Sequence, residues 1–330
     1  MQHFRSIQAL RAVAALLVVG HHLLGKFGVG AAGVDVFFVI SGFIMGTIGV
    51  RESPGQFVLK RICRIVPLYW LVTLMMCAGA LLGVFTRFSF DSATLLKSLF
   101  FIPYFDPSGQ IWPLVVPAWT LNVEMLFYVV FALSLLTNAA VWVATALLMA
   151  LMAVGMILHP ESAALKLWTT PLLIEFIVGL LLATVIKPRN APTGLAMILA
   201  GVAGLIWAGM SWRFDDSWRA LVWGLPASLI VCGALTIERA GRWPKIGLRW
   251  LERIGDSSYS LYLTHGLVIA FMHRRLGSSV PVNALTLLIS IGVGFAFYHG
   301  FERPVGAWLS RLTSTRKRPA KTALPDSILR

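Results

Sequence analysis

The chain has 330 residues, 58% of them hydrophobic and only 13% charged, with a mean hydropathy of +0.79. A soluble domain of this size carries far more polar surface, so the composition excludes an ordinary water-soluble enzyme. The formal net charge of +14 calls for no nucleic acid, because loop cations beside anionic lipid account for it.

Apolar stretches long enough to cross a bilayer recur from end to end. They predict spans near 7–24, 33–50, 67–85, 119–137, 139–158, 168–186, 193–211, 218–237, 258–275 and 283–301, about ten helices of an all-α membrane bundle. The first is a retained helix rather than a secretory signal, because Arg11 interrupts its apolar run and a second span follows at once. Segment 95–102 is too short to cross and is expected in an outer loop. No internal repeat divides the chain. The expected organisation is one transmembrane domain over 1–310 and a basic, Pro-containing, disordered tail over 311–330. Cys63, Cys77 and Cys232 are scattered and form neither a disulfide framework nor a metal cluster.

Orientation follows from the cations. With the N-terminus inside, the cytoplasmic segments hold Arg5; Arg51, Lys60, Arg61 and Arg64; Lys187 and Arg189; Arg239, Arg242, Lys245, Arg249 and Arg253; then Arg303, Arg311, Arg316, Lys317, Arg318, Lys321 and Arg330. The outer segments hold only Lys26, Arg87, Lys97, Lys166, Arg213, Arg219, Arg274 and Arg275. The asymmetry predicts both termini in the cytoplasm.

Polar groups inside spans are costly and face a bundle interior or a wet cavity. Arg11 and His22 are eleven residues apart, which turns a helix through three turns plus about 20° and rises ~16 Å. They therefore point the same way at different depths, ~6 Å and ~22 Å above the cytoplasmic face. Arg11 is either an anchor reaching lipid headgroups or a ligand residue. His22 is either an interhelical hydrogen-bonding group or chemically active, and His21 beside it points elsewhere. Glu124, in WTLNVEMLFY, falls ~10 Å below the outer face of a ~30 Å core, at the level of His22. A carboxylate there must be paired or protonated, which favours a functional role. Glu175 falls at a similar depth and is either a partner for a cation or part of a site; Asp35 lies at the outer mouth of the second span. The run Ser257, Ser258, Tyr259, Ser260, Tyr262, Thr264, His265 makes the ninth span unusually polar, which interhelical hydrogen bonding explains better than chemistry. In QFVLKRICRIVPLYW, Arg61 and Arg64 share a face of a short helix leading into the third span, with Lys60 beside them. They suit lipid phosphates or the phosphates of a cytosolic nucleotide cofactor.

The blocks IQALRAVAALLVVGHHL, GVDVFFVISGFIM, FVLKRICRIVPLYW, AWTLNVEMLFY, GDSSYSLYLTHG and FERPV, in this order from Ile7 to about Trp308, resemble the acyltransferase-3 family of membrane proteins, most closely its exopolysaccharide-production branch. The resemblance implies a multi-pass protein of the bacterial inner membrane, in its stand-alone form. It implies transfer of an acyl group, by default acetyl, from cytosolic acyl-CoA to a hydroxyl of an exopolysaccharide, O-antigen or other lipid-linked glycan, alongside polysaccharide-biosynthesis machinery. Acyl-CoA is then a donor substrate, with no permanently bound cofactor and no metal. By the same resemblance the family's basic residue and histidine fall on Arg11 and His22, its short basic motif on Arg61 and Arg64, and its acidic position on Glu124. His21 stands where relatives more often carry an aromatic or apolar residue.

Joined to the depths above, this gives an expected mechanism. Arg61, Arg64 and Arg11 hold the donor phosphates, His22 acts as general base or carries the acyl group, and Glu124 orients its imidazole. Asp35, Glu175 and His265 are further candidates. A proton-coupled transporter or flippase of a glycan or lipid-linked sugar is the alternative reading, since it also needs buried His, Glu and Arg. A non-enzymatic scaffold gives no reason for a charged interior.

Overall fold

The computed structural model describes residues 4–25, 28–85, 88–185, 190–211, 218–244 and 248–314. The expected loop cations Lys26, Arg87, Lys187, Arg189, Arg213 and Lys245 lie outside the described residues, as do Arg316, Lys317, Arg318, Lys321 and Arg330 of the expected tail. Among the described residues there is no strand. The helices are α1 (Arg5–Leu24), α2 (Ala32–Thr47), α3 (Pro54–Leu81), α4 (Ser92–Leu99), α5 (Trp119–Ser134), α6 (Ala140–Leu158), α7 (Ala163–Trp168), α8 (Leu173–Val185), α9 (Ala191–Met210), α10 (Leu225–Arg239), α11 (Arg249–Asp256), α12 (Ser258–Leu276), α13 (Val280–Phe297) and α14 (Arg303–Ser314). π-helical turns at Ala220–Gly224 and Tyr298–Glu302 lead into α10 and α14.

Nine stretches of the described helices are long and apolar enough to cross a bilayer. The tenth expected span, 258–275, forms as the 19-residue helix α12, whose serines, histidines and terminal arginines lower its hydropathy. Its length is nonetheless ~28 Å, and it returns through residues 277–279 as a hairpin against α13, so it crosses the same slab.

Three expected elements differ in detail. Arg61 and Arg64 do not sit on a separate short helix; α3 runs unbroken for 28 residues, ~42 Å, from Pro54 at its first turn through Pro67. The ~12 Å beyond a bilayer core's thickness is about eight residues, which reaches from Pro54 to Arg61 and leaves Arg64 one turn further in, at the edge of the core. The expected span 168–186 is broken into α7 and α8, because Pro171 cannot continue a helix. Helix α14 extends to Ser314, so residues 311–314 of the expected tail are helical. Segment 95–102 forms the short α4, started by a reciprocal Asp91–Thr94 capping box. It docks on α3 through Tyr69, which donates to the Ser98 carbonyl at 2.9 Å, and Trp70, which donates to that of Leu99 at 2.8 Å.

Two devices set how closely the helices approach. A Cβ on Gly42 would lie 2.2 Å from the Phe176 carbonyl oxygen, and one on Gly179 would lie 2.2 Å from that of Val39, so α2 and α8 cross backbone to backbone. Above that crossing, Phe38 and Phe127 pack on Phe176 with ring centroids 4.6 and 4.4 Å away. The N-terminus of α1 is capped from another helix. Glu238 at the end of α10 accepts from the backbone N–H of Arg5 at 2.7 Å and of Ser6 at 3.2 Å, and from the Ser6 hydroxyl. The Arg5 guanidinium pairs with Glu252 of α11 at 2.7 Å.

Candidate active site

At the end of the bundle where α1 and α3 begin, the first turns of α3 bring Lys60, Arg61 and Arg64 beside Arg11 of α1 and Arg303 of α14. These cations line a cavity of about 1170 Å³, with Gln8, Asp256 and Glu302 among its walls. It adjoins a narrower inner cavity of about 110 Å³ that shares Arg11, Arg61 and Arg64 and is otherwise walled by Phe37, Ser41, Thr120, Glu124, Tyr128, Tyr259 and Tyr262 among others. The sequence-predicted basic residues therefore converge at the junction of the two cavities.

The cations are not equally occupied. Lys60 Nζ lies 2.5 Å and Arg61 Nη2 3.9 Å from the Glu52 carboxylate, and the Arg61 guanidinium also lies over the rings of Phe57 and Tyr128. Arg11 is only 9% exposed and has no hydrogen bond or ion pair among the described residues; neither has Arg64. Burying a guanidinium without a partner is unfavourable unless something charged or wet meets it. Arg11 meets that condition by facing the same cavity as the exposed, unpaired Arg64, and together they suit an anion.

Glu124 stands further along the inner cavity. Its Oε1 accepts from the Ser41 hydroxyl at 2.7 Å and from the Tyr128 hydroxyl at 2.6 Å. It does not meet His22, so the expected orientation of that imidazole by Glu124 is not what the structure holds. The two residues share a depth, but depth leaves lateral position open.

His22 pairs instead with His265 of α12, whose side chain is completely buried. His265 Nε2 lies 3.3 Å from His22 Nδ1, and the ring centroids are 4.9 Å apart. His22 Nδ1 also lies 2.9 Å from the Val18 carbonyl one turn back. The expected role of the polar stripe on α12, interhelical hydrogen bonding, thus falls on a residue that touches the sequence-predicted histidine. His22 itself is exposed at the far end of α1 from Arg11, ~16 Å along the helix. Tyr262 joins the two regions: it lines the inner cavity, and its ring lies 6.0 Å from that of His265 and 5.8 Å from that of Phe37. Its hydroxyl donates to the Pro117 carbonyl at 2.7 Å and lies 2.9 Å from Thr120 Oγ1.

The remaining candidates, Asp35 and Glu175, are buried together outside both cavities. Arg219 Nη2 lies 2.9 Å from Asp35 Oδ2, with Glu175 beside this pair. A Cβ on Gly224 would come within 2.8 Å of Glu175 Oε1, so the π-helical turn before α10 closes over that carboxyl group only because residue 224 is glycine. The group ties α2, α8 and the approach to α10 together; the cation pairs with Asp35, while Glu175 lies beside that pair and makes no ion pair of its own among the described residues. Sequence reasoning missed Ser41, Tyr128 and Glu302 at the cavities. Glu302 accepts from Ser260 at 2.6 Å and shares the larger cavity with Arg11 and Arg64. The signal was available, since Ser41 and Glu302 lie in the blocks GVDVFFVISGFIM and FERPV. Among the described residues no group of three or more His, Cys, Asp or Glu could hold a metal ion.

The family described as an acyltransferase domain matches residues 4–299, nearly all of the described bundle. The chain belongs to the acyltransferase-3 family. It is 40% identical over 299 residues to the exopolysaccharide production protein ExoZ of Rhizobium meliloti (strain 1021), covering 87% of this chain and 91% of that protein. It is 28% identical over 321 residues to BcsY of Komagataeibacter xylinus, to which a membrane-bound transacylase activity is ascribed by name, with coverage of 87% and 80%. It is 25% identical over 366 residues to the acyltransferase MdmB of Streptomyces mycarofaciens, with coverage of 93% and 87%. No solved structure matches. As an acyltransferase-3 protein, the chain is a multi-pass membrane acyltransferase, and its cavities and histidine pair are the places to look for donor and acceptor.

Proposed function

We propose that the protein is an O-acyltransferase of the bacterial inner membrane that moves an acetyl group from cytosolic acetyl-CoA to a hydroxyl of an exopolysaccharide or lipid-linked glycan. The observation that carries this reading is the buried Arg11 and the exposed Arg64, neither with a counter-charge among the described residues, at the junction of a wide cavity with a narrow one that reaches Tyr262 beside His265. Coenzyme A is a phosphorylated nucleotide carrying its thiol on a long flexible arm, which suits a basic vestibule followed by a narrow passage. The vestibule end faces the cytosol in this reading, with both termini inside, as the loop cations direct.

In the reaction, His22 takes the proton of the acceptor hydroxyl at Nε2 as its oxygen attacks the thioester carbonyl. The new C–O bond forms, the C–S bond breaks, and the departing thiolate recovers the proton from the imidazolium. Arg11, Arg61 and Arg64 hold the donor; Glu124, fixed by Ser41 and Tyr128, completes the polar wall of the passage. The name of ExoZ supports an exopolysaccharide as the acceptor.

The test uses membranes containing the native chain or its His22→Ala variant, acetyl-labelled acetyl-CoA and the host's lipid-linked glycans. Label in the glycan with the native chain and none with the inserted variant is the expected outcome. Equal labelling by both removes His22 from the site. Glycan translocation without acyl-CoA turnover turns the reading to a flippase.

A further inference from the structure

His22 Nδ1 has two polar neighbours, the Val18 carbonyl at 2.9 Å and His265 Nε2 at 3.3 Å. A carbonyl oxygen only accepts, so the closer contact requires the His22 proton on Nδ1. His265 Nδ1 faces the carbonyl of Leu261 at 3.3 Å, and the same argument places the His265 proton on its Nδ1. A neutral imidazole carries one N–H. His265 Nε2 is therefore a bare lone pair directed at the His22 Nδ1–H, which it shares with Val18, and His22 Nε2 is left with its own lone pair free. Every polar contact of the pair closes in this single assignment.

We infer that His265 is the positioning residue for His22: it fixes the ring and accepts from its Nδ1–H, taking the place that a carboxylate occupies behind the histidine of a hydrolytic triad. The inference rests on the reading of His22 as the base. During transfer, the acceptor proton arrives at His22 Nε2 and the ring becomes cationic. The Nδ1–H bond polarises toward His265 Nε2, which spreads that charge into a second imidazole, and the proton leaves again from Nε2 to the thiolate. His265 suits this because it is fully buried in α12, so water does not compete for its lone pair. Glu124 is occupied elsewhere by two hydroxyl donors and cannot do it.

The experiment compares native chain with His265→Gln and His265→Leu, which are similar in volume. Gln keeps an oxygen acceptor at the place of Nε2, whereas Leu only fills space. Transfer should fall by roughly 10²-fold in kcat for His265→Leu, with KM for acetyl-CoA unchanged, and His265→Gln should recover a large part of that loss. A residue that merely packs would give the opposite order. A second readout needs no substrate. Diethyl pyrocarbonate acylates a neutral imidazole at its lone pair, and the rate at His22 is followed by peptide mass spectrometry. The expected order is native, then His265→Gln, then His265→Leu. Equal His22 labelling in all three chains, or a Leu variant that transfers as fast as Gln, overturns the role of His265. If the native chain transfers nothing yet the labelling order holds, the pairing stands and the acyltransfer reading fails.

Discussion

Arg11 and Arg64, unlike Lys60 and Arg61, lack a counter-charge within hydrogen-bonding reach among the described residues. A charge-assisted hydrogen bond to phosphate contributes about 1.5–3 kcal/mol. Replacing Arg64 with Gln should therefore raise the KM for acetyl-CoA by roughly 10-fold or more and leave kcat within about 2-fold. A thioester donor truncated to remove the phosphates should show no difference between native chain and variant. Initial-rate measurements with the two donors check both statements, and equal sensitivity of both donors would place Arg64 at the reaction rather than at the phosphates. Reading these roles from the chain alone was partly achievable. Arg11, Arg61, Arg64 and His22 stood out because a charge or imidazole in or beside an apolar helix is conspicuous. The partner of His22 did not, because helix counting gives height along the membrane normal and nothing about which helices are neighbours. Glu124 and His265 were both visible as polar residues, and only lateral packing decides that α12 reaches the last turn of α1.

Among elements, the crossing of α2 and α8 tolerates little change. Apolar burial contributes little between helices in lipid, so close backbone approach has to supply the association. Gly42 and Gly179 permit it, and a side chain at either would meet backbone atoms that cannot step aside. A Gly42→Val substitution should cost about 3 kcal/mol or more of stability, seen as a lowered unfolding temperature in detergent. Gly266→Ala serves as the comparison, because a Cβ there meets nothing within 4 Å. It should leave the unfolding temperature unchanged or slightly raised, since alanine favours a helix interior over glycine. Equal destabilisation by both would show that the crossing tolerates a wedge. The spans themselves were legible from hydropathy, including α12, whose polar stripe turned out to mark its buried face. The break between α7 and α8 was marked by Pro171, but a proline in an apolar run reads equally as a kink, and α3 passes through Pro67 unbroken. The cap of Glu238 on α1 was invisible for a different reason: it joins residues more than 230 positions apart, and no local pattern announces a cap supplied from another helix.

At the scale of the whole molecule, the proposed sidedness makes a simple demand. The exposed loop containing Gln110 and the exposed segment containing Arg242 must lie on opposite faces of the membrane. In a chain with Cys63, Cys77 and Cys232 replaced, a Gln110→Cys variant should react with a membrane-impermeant maleimide in intact cells, and an Arg242→Cys variant should react only after permeabilisation. Reaction of both in intact cells, or of Arg242→Cys alone, would overturn the orientation drawn from the loop cations.

The aromatic contact of Tyr262 with Phe37, tied by the Tyr262 hydroxyl to Pro117 and Thr120, has a consequence for the cell as much as for catalysis. A living membrane stores energy as a proton gradient, and a continuous column of water from a basic vestibule to an exposed imidazole would discharge it. The Phe37–Tyr262 contact lies on the wall of the inner cavity next to His265, where such a column would have to pass. In the proposed orientation, a contact there lets the bundle hold a deep polar recess toward one compartment and an imidazole toward the other with less risk of a leak. Any movement that lets an acyl group past Tyr262 has to be brief, or be sealed by the acyl chain itself.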